Sequence, residues 1–70
     1  MTESQIDRIR KAEEAVRELV ELAARIRQEA DKLPVEDLTL RRELLKTAEG
    51  FETQAQDLRN ALRDWRQDIH

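Results

Sequence analysis

Leu33-Pro34-Val35-Glu36-Asp37 contains the only proline of a 70-residue chain, and it separates two long stretches that share one rhythm. Before it, apolar residues recur at Ile9, Ala12, Val16, Leu19, Ala23, Ile26, Ala30 and Leu33. After it, the series runs Leu44, Ala48, Phe51, Ala55, Leu58, Leu62, Trp65 and Ile69. Alternating steps of three and four return each side chain to one face of an α-helix, the heptad pattern of helices that pack on helices. Proline disfavours helical dihedrals at the residue before it, so Leu33 closes the first helix. The reading is an all-α antiparallel two-helix hairpin, coiled-coil-like, in a single domain spanning 1–70: helix 1 over about 3–32, a turn at 33–38 and helix 2 over about 39–69. At ~1.5 Å per residue each helix is roughly 45 Å long. Matched lengths and a short connection favour antiparallel neighbours.

Local signals support both starts. Thr2 with Gln5 fits a capping box, Ser4 with Asp7 is a weaker alternative, and Glu3 and Asp7 place negative charge near the positive end of the helix dipole. Asp37 or Thr39 can cap the second helix, unless Pro34 itself starts it early.

Folding at Pro34 pairs positions whose numbers sum to about seventy, given a short connection. Leu33 then meets Leu38, Ile26 meets Leu44 or Leu45, Leu19 meets Phe51, Val16 meets Ala55 and Ile9 meets Leu62, with Trp65 near Ile6 at the open end. One heptad position is small (Ala23, Ala30, Ala48, Ala55) and the other large (Leu19, Ile26, Leu44, Phe51, Leu58). Alternating small and large layers let helices approach closely while the large residues fill the space between. Ala23 opposite Ala48 is expected to leave a hole that a second hairpin would fill. Ile6, Val20, Leu22, Leu40 and Leu45 widen the apolar face beyond what a two-helix contact needs. A two-helix chain of this size rarely buries enough surface to fold alone. The expectation is therefore a homodimer forming a four-helix bundle, with Ile6, Ile9, Val16, Leu19, Ala23, Ile26, Leu44, Ala48, Phe51, Ala55, Leu58, Leu62 and Trp65 as core and oligomer interface. In architecture this resembles the Rop type of plasmid RNA-binding protein, a dimer of hairpins with small and large core layers. No RNA-contacting motif can be matched, so the resemblance assigns no functional residue.

Composition narrows the function classes. Charged residues make up 41% of the chain and hydrophobic ones 39%, but the apolar residues are periodic, which separates a helical assembly from a disordered polyelectrolyte. The absence of cysteine removes disulfides, thiol catalysis and Cys-based zinc sites together, and fits a reducing compartment. No signal-peptide pattern and no membrane-length apolar run are present, so a soluble cytoplasmic protein without a membrane partner is expected. Net charge is −3, and each half carries slightly more acid than base. Nucleic-acid binding, which needs a concentrated basic surface, is disfavoured.

The charges are nonetheless unevenly placed. Glu13, Glu14, Glu18, Glu21, Glu49 and Glu52 form an acidic waist in which Arg17 is the only base. Arg8, Arg10, Lys11, Arg59, Arg63 and Arg66 gather at the open end, and Arg25, Arg27, Lys32, Arg41, Arg42 and Lys46 toward the turn. A metal site on the waist would need inward-facing glutamates with Glu-x-x-His pairs, and the sequence has no such pair. Recognition of a basic partner, or waist-to-end self-association, is the sharper reading of the waist. A solvated surface laced by Asp7–Lys11, Glu13–Arg17 and Glu21–Arg25 is the simpler one, and such surface runs are usually that. His70, the lone histidine, ends the chain and lacks the fixed geometry of a ligand or catalyst. Arg41 occupies a heptad core position, its stem covering the end of the core while the guanidinium reaches water. Gly50 falls inside the second helix at a cost of ~1 kcal/mol relative to alanine. It marks either a close backbone approach or a bend.

With no nucleophile–base pair, phosphate loop or ligand cluster, the chain reads as a non-enzyme without a cofactor. The leading expectation is a self-association and protein–protein interaction module (an adaptor, assembly factor or small chaperone) whose partners are itself and another helical protein. The alternatives are a small Rop-like nucleic-acid-binding regulator, and a designed or excised bundle whose role ends at assembly.

Overall fold

A computed structural model describes residues 2–68. Two α-helices, α1 (Glu3–Asp31) and α2 (Leu38–Asp68), pack side by side as a hairpin about 54 Å long. Helix α1 starts on the predicted capping box. The Gln5 backbone N–H donates to Thr2 Oγ1 at 3.2 Å, and the Thr2 N–H donates to Gln5 Oε1 at 3.0 Å. Two donors that the first turn cannot satisfy internally are thus satisfied reciprocally. The helix closes in tightened bonds, Lys32 N–H to Glu29 O and Leu33 N–H to Ala30 O, both 3.2 Å.

Pro34 opens a β-turn rather than a helix: the Asp37 N–H donates to Pro34 O at 3.0 Å. The Asp37 carbonyl then accepts from the Arg41 N–H at 3.0 Å, so Asp37 is the residue on which α2 is founded. Leu38, expected to cover Leu33, is largely exposed as the first residue of α2.

Burial follows one heptad position. Val16, Ala23 and Ala30 of α1 and Ala48, Ala55 and Leu62 of α2 are the buried residues, and Val16, Ala55 and Leu62 form one cluster with Ile9, Ala12, Leu19 and Leu58 packed against it. The small side chains therefore lie on the line of contact between the helices. The expected hole is absent: Ala23 is 1% exposed and Ala48 0% within the single hairpin, so no second chain is required to cover them. Of the residues expected in the core or oligomer interface, Ile9, Leu19, Ile26, Leu44, Phe51 and Leu58 are half-buried within the hairpin, and two are exposed. Trp65 is 46% exposed and Ile6 40%, because both lie beside the line of contact rather than on it, whereas Leu62, on the line one turn from Trp65, is 5% exposed. Ile69 and His70 lie outside the described residues.

Gly50 lies in unbroken helix with a negative φ, and a Cβ added there would meet nothing within 4 Å. A close backbone approach therefore does not account for it. No helix is long and apolar enough to cross a membrane, among the described residues.

Candidate functional site

The site is built from the two faces of the hairpin. With the buried series (Val16, Ala23, Ala30; Ala48, Ala55, Leu62) taken as heptad position a, the residues four further on, at position e, lie to one side of the contact line. Two cross-helix ion pairs join e to e: Arg27 with Glu52, Nη2 to Oε1 2.5 Å, and Arg66 with Glu13. Both e edges therefore share one face. Position d, on the other side of a, must then share the opposite face.

Along position d that opposite face is apolar, while position g beside it is mixed, with exposed Arg8, Glu29, Thr47 and Gln54 among its apolar residues. Position d carries Leu19, Ile26, Leu33, Leu44, Phe51 and Leu58, all half-buried, and Trp65, exposed. Beside them at position g lie Leu22, 37% exposed, Leu40, 51% exposed, and the half-buried Ala15 and Ala61. Small residues at a bring the helices together, and the large residues at d are thereby pushed off the contact line with one side still facing solvent. The strip of large side chains at d is thus only partly covered by the hairpin.

The ion-paired face has different chemistry. An open groove there has Val16, Val20 and Leu62 as its floor and Arg17, Arg59, Arg63 and Arg66 with Glu13 and Glu21 as its walls. Arg66 reaches out of the base-rich open end and Arg27 out of the turn half, each taking a carboxylate of the acidic waist. The waist is thus partly neutralised by the hairpin itself. The hydrogen bond from Arg27, ahead of its charge, holds the Glu52 carboxyl below the usual carboxylate range, against a smaller opposing effect of desolvation. The same hydrogen bond and the Glu52 charge raise Arg27 further.

These cross-helix pairs were not legible from helical spacing. Asp7–Lys11 forms as expected, Nζ to Oδ2 3.4 Å. Glu13, expected to pair with Arg17, instead reaches Arg66, and no Glu21–Arg25 ion pair forms among the described residues. The reason is geometric. Side chains lean toward the N-terminus of their own helix. In an antiparallel pair, touching partners on α2 therefore sit about two helical turns further from the turn than backbone level alone implies. A search of e positions with that offset would have found both pairs. Arg41 behaves as expected for a residue at the end of the core: half-buried, with Nη2 3.5 Å from Asp31 Oδ1.

Among the described residues, no group of three or more His, Asp or Glu side chains converges as a metal ion would need. Comparison with protein-family profiles, with curated proteins and with solved structures finds no match to this chain.

Proposed function

We propose that the chain is a non-enzymatic self-association module: two hairpins join through their d/g faces into a four-helix bundle, and the assembled bundle serves as an adaptor or assembly unit in the cytoplasm. The observation that carries this is the apolar strip from Leu33 and Leu44 at the turn to Trp65 at the open end, none of which the hairpin covers fully. A second copy fits it by size and pattern. The strip runs the length of a 54 Å hairpin, and an identical strip matches it in length and chemistry. Interfaces between obligate partners resemble a domain core cut in half, which is the character of this face. The lack of cysteine supports a reducing compartment.

Sedimentation equilibrium at low micromolar concentration, paired with thermal unfolding, tests the proposal. A mass of two chains and one cooperative transition whose midpoint rises with concentration are expected, because a partner that binds only the folded state stabilises it by mass action. A monomer with a concentration-independent midpoint would overturn the proposal.

A further inference from the structure

Resting on that self-association, we infer that the two hairpins pack with their turns at the same end, so that α1 of each protomer lies against α2 of its partner. Two hairpins stacked on their apolar faces have two symmetric arrangements. A two-fold axis along the helices places the turns together and sets α1 against the partner's α2. An axis across them places the turns at opposite ends and sets α1 on α1 and α2 on α2.

The outer edges of the apolar face distinguish the two. On α1 this edge, made of positions g and c, presents Arg8, Lys11, Arg25 and Lys32 with Glu18 and Glu29, all exposed. On α2 the same edge presents Glu43, Asp57 and Asp64, all exposed, without a base among the residues whose side chains are described. With turns at opposite ends, the acidic edge of α2 meets its own copy along the whole bundle. With turns together, each acidic edge meets a base-rich one, and opposite charge across an interface selects orientation. Lys32 and Lys11, whose present partners Glu29 and Asp7 are exposed neighbours on the same helix at 3.4 Å, then come level with the partner's acidic edge near the turn and near the open end.

Side-chain volume points the same way. In the turns-together arrangement, where level positions again sum to about seventy, Leu58 of one protomer comes level with the small Ala12 of the other. In the alternative, large residues of α2 meet large residues of α2, while the smaller residues of α1 meet each other. Interdigitation of large against small is what fills a core without voids.

The chain has no cysteine, so a single introduced one is a unique label. Glu36→Cys, exposed in the turn, is spin-labelled, and the distance between labels is measured after sedimentation has established the mass. Turns together predict a label-to-label distance within about 25 Å, from helices packed ~10 Å apart. Turns apart predict a distance near the 54 Å length of the hairpin. Ser4→Cys at the open end should likewise give a short distance. Lys32→Glu should raise the dimer dissociation constant by roughly three- to tenfold, and adding Glu43→Lys should return it to within about twofold. A two-chain mass with long distances from both labels overturns the arrangement and leaves self-association standing. A one-chain mass overturns both.

Discussion

Phe51 and Gly50, neighbours on α2, show how far single residues can be read. Phe51 is half-buried in the hairpin, so its ring is a gauge of whether the d/g face is covered. Within a lone hairpin, Phe51→Ala removes a ring already half in water and should cost about 1–2 kcal/mol. Within a bundle the ring is buried on both sides and the cost should reach about 3–5 kcal/mol, as for full core truncations. Chemical denaturation of both proteins at the same concentration decides between these values. Gly50 has the opposite sign. Its helical backbone and the open space beside it accept a methyl group, so Gly50→Ala should raise stability by about 0.4–1 kcal/mol. Loss of stability on the same denaturation curve would show that the site tolerates no side chain.

At the scale of the helices, the ends and the cross-links are separable. The Thr2 hydroxyl serves only the start of α1, so Thr2→Ala should cost about 1 kcal/mol and fray the first turn, read as faster amide hydrogen exchange over residues 3–6 with the rest of α1 unchanged. The Arg27–Glu52 pair instead ties α1 to α2. Because the folded Glu52 carboxyl is held below its ordinary value, its contribution is fully present above the unfolded carboxylate pKa of ~4.3 and fades as pH falls through the lower folded value. Glu52→Gln should therefore lower the thermal midpoint at neutral pH, and the difference from the parent chain should narrow as the pH falls below the unfolded carboxylate pKa of ~4.3. A gap that did not narrow as the pH fell below about 4 would assign the effect to packing rather than charge. The effect is small, since both side chains are more than one-third exposed.

For the whole molecule, the distribution of charge bears on nucleic acid. Arg59, Arg63 and Arg66 line one groove together with Glu13 and Glu21, and Arg66 is engaged by Glu13. The acidic outer edge of α2 interrupts any continuous basic path along the other side. Trp65 is exposed in the hairpin, yet it stands on the apolar strip and away from this groove. Titration of labelled duplex DNA and stem-loop RNA should show no binding tighter than about 10 μM at physiological salt, the range of non-specific contacts. Submicromolar binding that weakens steeply with salt and disappears in Arg59→Gln/Arg63→Gln would reverse the ranking of protein partner over nucleic acid.

Helix number, helix type, the place of the turn and the capping box at Thr2 were legible in the sequence, because each depends on residues within a few positions of one another. Periodicity also marked which side chains turn away from solvent. It did not say by how much, since burial depends on what the second helix brings opposite. Ala23, Ala30, Ala48 and Ala55 with Val16 and Leu62 proved to be the contact line, while Leu19, Ile26 and Phe51 were left half-open and Trp65 exposed. The ion pairs that cross the hairpin were hidden for a related reason: Arg27 and Glu52 meet only because side chains on antiparallel helices lean toward opposite ends. Local spacing thus determined the elements. The approach of the two helices decided which residues form the core and which form a face still open to solvent.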